Sequence, residues 1–228
     1  MGEPQWKTSI AQALSQRVGA ANRILQLTSI DASDSRRPYI RSLFFHSFIS
    51  AAAKPSLPVL VAPVDIRTPK LAQLVAHPCV RLSWYIPETG EQYNISGIAS
   101  ILPSPTDSMY PHYAFAIRCP EANSGLQALA EEDFDWDGLR RSVYDSLEPT
   151  TQRSFASPRL PGSPVSGEEA DPSDGAQTSQ GDAALSNMGL LVVDPAEVEV
   201  LETREWPATR RTRFWRTREG GWGSELLV

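Results

Sequence analysis

The chain has 228 residues, 41% of them apolar, which suits one domain of ordinary size or one domain with a long insertion. A net charge of −6 argues against sequence-independent nucleic-acid binding, which needs a basic face, and no apolar run reaches the ~18–20 residues of a membrane span. Two cysteines and three histidines lack metal-ligand spacing, so neither a disulfide framework nor a zinc site is expected; reduced thiols and an N-terminal stretch without a secretory pattern fit a cytoplasmic protein.

Trp6, Ile10, Ala13, Leu14 and Val18 recur at helical spacing and predict an amphipathic helix over residues 8–18. "RILQLTSI" reads as a strand, followed by a polar turn over residues 31–38. In "YIRSLFFHSF" the alternation of a strand puts Arg41, Leu43 and Phe45 on one face and Ile40, Ser42, Phe44 and His46 on the other. "LPVLVAPV" is a third strand, whose prolines suggest an edge or a bulge.

Next comes "DIRTPK", residues 65–70, in which Thr68 can cap a helix and Pro69 can occupy its first position; that helix ends before Pro78. "VRLSWYI" and "QYNISGIASIL" are further strands, with Gly97 marking a bulge or a close backbone approach. Helices are expected over residues 107–117 and 135–147.

From residue 156 to residue 186 the composition shifts to Pro, Gly, Ser and acidic residues. Such a segment buries too little apolar surface to offset its ordering entropy, so it reads as a disordered insert. "GLLVVDPAEVEVLET" predicts two strand runs around an Asp194-Pro195 turn, and "RTRFWRT" with "WGSELLV" a closing hairpin. The expected fold is α+β: a mostly antiparallel small β-barrel with peripheral helices, formed by residues 1–155 together with 187–228.

The chain has only three lysines, and Lys70 lies three residues from Arg67 at a strand-to-helix turn. A bidentate arginine, a lysine point charge and the Thr68 hydroxyl together suit a phosphate monoester, which carries about −1.5 to −2 charges and three acceptor oxygens.

The blocks "IRSLFFHSF" and "VDIRTPKLAQLVAHPCVRLSWYIPETGEQYNISGIASIL" resemble the FMN-binding split barrel of the pyridoxamine 5'-phosphate oxidase superfamily. The likeness is to the branch with patterns near R-T-V-V-F-R-G-F, T-D-x-R-S-x-K and C-W-Y-F-x-x-T-R-E-Q-F-R-I-S-G. It implies an FMN site and a homodimer with the flavin at the subunit interface. Arg41, Arg67, Thr68 and Lys70 would hold the phosphate, the Val64 backbone would touch the flavin, and Gln92 would hydrogen-bond its ring. Trp206 and Arg213 resemble residues beside the ring.

The sequence departs from the family at His46 and Gly90, where the pattern has arginines, and at Arg211-Thr-Arg213, which lacks the histidine of a substrate-gripping Arg-x-His pair. Flavin binding and oxidoreduction of a small molecule are therefore expected, vitamin B6 as substrate is not, and the sequence singles out no catalytic residue. A flavin carrier without turnover, or an interaction protein on the same barrel, is the alternative.

Overall fold

The computed structural model describes residues 2–15, 20–113, 117, 119–159, 161–162, 179–204 and 210–227. The elements are helix α1 (Gln5–Ser15), a 3-10 turn (Ala20–Arg23), strands β1 (Ile24–Ile30), β2 (Pro38–Phe44), β3 (Ser47–Ile49) and β4 (Val59–Asp65), helix α2 (Lys70–Ala76), then β5 (Cys79–Ile86) and β6 (Glu91–Leu102). Helices α3 (Tyr110–Tyr113), α4 (Gly125–Glu131), α5 (Trp136–Ser146), α6 (Pro149–Ala156) and α7 (Ser179–Asn187) follow, then β7 (Met188–Glu202), β8 (Arg210–Arg216) and β9 (Trp222–Leu227).

All strand pairs are antiparallel, in the order β2-β1-β5-β6-β7-β4-β3, with β8 and β9 continuing from β7. The two ends of this path, β2 and β3, are neighbours in sequence, so the sheet must curl until its edges meet at Phe45 and His46. There Phe45 N–H donates to Arg23 O (2.7 Å) and His46 N–H to Val61 O (2.9 Å). No ladder joins β2 to β4 among the described residues, so the barrel stays split along that line.

Burial explains the strand sequences. β4 and β7 are buried on both faces: Leu60, Ala62, Val64, Leu191 and Val193 face the barrel core, while Val59, Val61, Leu190 and Val192 pack under the helices α4–α7. A strand covered on both sides needs a continuous apolar run, which is what "VLVAPV" and "LLVV" supply. α1 seats Trp6, Ile10 and Ala13 in the barrel core, with Trp6 edge-on to Phe48 and Trp222.

Three expectations need correcting. The Asp194-Pro195 pair does not separate two strands: β7 is one 15-residue strand, bulged where Gly97 pairs with Pro195 and Ser96 with Glu197. A Cβ on Gly97 would sit 2.3 Å from Asp194 O, so the bulge is the close approach that requires glycine. Thr68 does not cap α2; Pro69 is the N-cap without a side-chain bond, and the Thr68 hydroxyl donates back to Asp65 O (2.8 Å).

The third concerns the insert, whose C-terminal end is helical. α7 buries Ala184 and offers Leu185 O to the buried guanidinium of Arg140. Residues 163–178 of the expected disordered segment lie outside the described residues.

Candidate anion site at the barrel split

Arg67 and Arg41 reach the α2 entrance by different routes. Asp65 ends β4, paired with Met188, and its carboxylate turns back over the next residues. Oδ1 accepts from Arg67 N–H (2.9 Å) and Nε (3.0 Å), and Oδ2 accepts from Nη2 (2.6 Å). The same guanidinium donates to Ser157 O (2.6 Å) and Phe155 O (3.3 Å) at the end of α6. Ile66 N–H donates to Asn187 O, and Asn187 Nδ2 to Phe155 O. Both roots of the insert are thus fastened to the "DIRTPK" turn, and four of the five Arg67 donors are engaged.

Arg41 projects from β2 on the face that carries Leu43, Leu27 and Leu82, toward α2. Nη2 donates to Gln73 Oε1 (2.9 Å), which also accepts from Ser29 Oγ (2.9 Å), and the guanidinium lies 5.0 Å from the centre of the Tyr39 ring. Arg41 Nε is buried and has no hydrogen-bond partner among the described residues.

Lys70 opens α2, half-buried, and its ammonium makes no hydrogen bond or ion pair among the described residues. Burial, and then the nearby Arg41 charge, lower its pKa below the ordinary lysine value; Asp65 opposes this weakly, its carboxylate being held by Arg67. Arg41 and Lys70 are thus neighbouring cations with no ion-pair partner among the described residues.

Strand parity separates the remaining expected residues. Arg41 pairs with Leu27, Leu27 with Leu82 and Leu82 with Ile95, so all four share the inner face. Gln92 is three residues from Ile95 and points outward beside Tyr85, with its Nε2 on Ser83 Oγ and Asn94 Oδ1. Arg213 pairs with Glu199 and thereby Asn94, also outward, and is ion-paired to Glu197 and Glu225.

The chain thus brings together Arg41, Lys70 and the turn bearing Arg67 and Thr68, but holds Gln92 and Arg213 on the opposite face. Val64 is core, 3% exposed. Trp206 lies outside the described residues. His46 is a packed corner residue, its ring between Ser47 Oγ and Ser146 Oγ, with its pKa lowered by burial and then by Arg23.

Gly90, where the family pattern has arginine, adopts φ +63° in the β5–β6 turn, and a Cβ there would meet Arg204 Cγ at 2.9 Å. Backbone geometry accounts for that departure.

Sequence reasoning missed Ser29 and Gln73. The signal for Gln73 was a single glutamine inside the otherwise apolar "LAQLVA". Nothing local marks Phe155, Ser157 or Asn187 as partners of the turn. A groove of about 960 Å³ among Leu102, Tyr110, Ile117, Phe134 and Trp136 includes none of the expected residues. Among the described residues no cluster could hold a metal ion, and no helix is long and apolar enough to cross a membrane.

Residues 3–103 match the family described as pyridoxamine 5'-phosphate oxidase, FMN-binding domain. A solved pyridoxamine 5'-phosphate oxidase-related, FMN-binding protein from Nostoc punctiforme superposes over 100% of both chains, at 26% identity and a TM-score of 0.70. PhzG from Burkholderia lata, solved with tetrahydrophenazine-1-carboxylic acid, shares the fold over 100% of this chain and 93% of its own, at 18% identity and a TM-score of 0.60. None of the curated proteins matches the chain.

Proposed function

Because the chain belongs to the pyridoxamine 5'-phosphate oxidase-like FMN-binding split-barrel superfamily, we propose that it binds FMN, with Arg41 and Lys70 gripping the phosphate, and acts as a small-molecule oxidoreductase. The observation that carries this is the pair of inward cations without a counter-ion, one with a buried, unpartnered Nε. Buried donors are as a rule hydrogen-bonded, and a phosphate would give both cations charge-assisted bonds. Thr68 has its hydroxyl proton on Asp65 O, and Arg67 retains one uncommitted N–H, so they shape the turn more than they grip.

Bound FMN would supply two-electron transfer to or from a small molecule, with the protein fixing its position and surroundings. Gln92 and Arg213 can address the same flavin only from the outer face of a second protomer. A homodimer with the flavin between subunits is therefore part of the proposal, and sedimentation of the purified protein tests it. The departure at Arg211-Thr-Arg213 leaves no support for a pyridoxamine phosphate substrate.

The test of the cofactor is an absorbance spectrum of the purified protein followed by titration with FMN and riboflavin. FMN should bind at least about tenfold more tightly, since charge-assisted bonds to the phosphate contribute roughly 1.5–3 kcal/mol each. Equal affinities would remove the phosphate assignment, and a colourless protein indifferent to both flavins would remove FMN.

A further inference from the structure

We propose that Gln73 is a third ligand of this anion site, a neutral donor set between Arg41 and Lys70 that also fixes the Arg41 guanidinium. The proposal rests on the phosphate assignment above.

Gln73 is 5% exposed, and its Oε1 receives both Ser29 Oγ and Arg41 Nη2 at 2.9 Å. A guanidinium only donates, so the amide atom facing Arg41 must be the oxygen, which fixes the amide orientation. The Nε2 group then points away from both partners and meets no acceptor among the described residues. Gln73 follows Lys70 by three residues on α2, a spacing that puts both on one helical face.

Three donor groups near the start of α2 therefore have no acceptor among the described residues: Nε of Arg41, Nζ of Lys70 and Nε2 of Gln73. A set made only of donors repels a cation and suits an oxyanion. A phosphate monoester brings three acceptor oxygens. A neutral amide between the two cations supplies a donor without a third positive charge, which would lower the Lys70 pKa further.

The experiment compares FMN with riboflavin on the intact protein and on two variants, because only FMN reports the phosphate. Gln73→Met keeps length and removes all polar atoms; FMN affinity should fall about tenfold while riboflavin affinity stays within about twofold. Gln73→Glu keeps both accepted bonds, from Ser29 and Arg41, but brings a carboxylate, and should abolish the preference for FMN.

If Gln73→Met fails to fold, Gln73→Glu reads the same ratio. A residue that served only packing would weaken both flavins together. If the variants keep the wild-type ratio, Gln73 is not a ligand and the assignment of Arg41 and Lys70 stands. If the wild-type protein does not distinguish the flavins, both proposals fall.

Discussion

Arg41, bonded to Gln73 of α2, and Arg67, in the turn that precedes α2, live in opposite circumstances. Arg67 has a bidentate carboxylate from Asp65 and two backbone carbonyls, so its charge and nearly all its donors are committed within the fold. Among the described residues Arg41 has one neutral acceptor, Gln73, an aromatic face, and a buried Nε without a partner. Sequence pattern marks both as phosphate residues, but the structure distinguishes them by saturation. A saturated guanidinium holds the protein's own chain, whereas the unsaturated one next to a second cation is the one to which the proposed function assigns the phosphate.

The largest effect should come from removing the unsaturated pair. Arg41→Met and Lys70→Ala should each weaken FMN by about ten- to a hundredfold and leave riboflavin nearly unchanged, because each removes a charged bond of roughly 1.5–3 kcal/mol to the phosphate alone. The double variant should lose less than the sum, since both cations address one phosphate. Fluorescence titration checks all three, and undiminished FMN binding by Arg41→Met would erase the contrast with Arg67.

Arg67→Ala should act on stability instead. It strands the Asp65 carboxylate, 11% exposed, and releases Phe155 O and Ser157 O. We expect a loss of about 1–3 kcal/mol from the uncompensated charge and lost bonds, seen in urea unfolding of the flavin-free protein. The FMN-to-riboflavin ratio should hold. Asp65→Asn with Arg67→Ala should recover part of the loss, because the stranded charge goes too. A collapse of that ratio in a folded Arg67→Ala protein would make Arg67 a direct ligand, the role its sequence pattern suggests.

The contrast also marks how far the sequence could be read. The barrel and the two-sided burial of β4 and β7 were legible because apolar periodicity records which faces are covered. The nearness of Arg41 to Lys70 was legible only through the family resemblance, which assigns both to one site; their role there is the proposal above. Saturation was not, since Phe155, Ser157 and Asn187 join the turn through backbone carbonyls and an amide, which leave no pattern in residue type. The helicity of α7 was hidden for a related reason. Its anchor is Leu185 O, bonded to a buried Arg140, and composition speaks only of side chains.

A smaller effect concerns pH. Lys70 has its folded pKa lowered by burial and by Arg41, so between that value and the ordinary 10.5 the unfolded chain binds more protons. Stability of the flavin-free protein should therefore rise with pH across that window, and Lys70→Met should remove this contribution. Bound phosphate opposes the shift, so FMN should flatten the slope and its binding should take up protons at alkaline pH. Below about pH 6 the phosphate loses its second charge and the preference for FMN should shrink. Thermal melts against pH, with and without FMN, read each part; a slope unchanged in Lys70→Met would assign it to another group.

The smallest effect, that of the shorter of two replacements, tests where the fastening of the insert ends. Residues 163–178 contain only Val165, Ala170 and Ala176 as apolar side chains, and Arg67 and Arg140 find acceptors among the described residues on either side of them. Replacing this stretch with a short Gly/Ser linker should leave the melting temperature within about 2 °C, since a change well under 1 kcal/mol moves it little in a chain of this length. Extending the replacement through residue 187 deletes α7. That takes away the Leu185 O acceptor of a guanidinium only 2% exposed and the Asn187 bonds to Ile66 and Phe155. The longer replacement should therefore lower stability by a few kcal/mol, because a buried charge loses a hydrogen-bond partner. Equal stabilities would mean that the α7 bonds carry no net energy; a large loss from the shorter replacement would mean that residues 163–178 pack on the domain despite their composition.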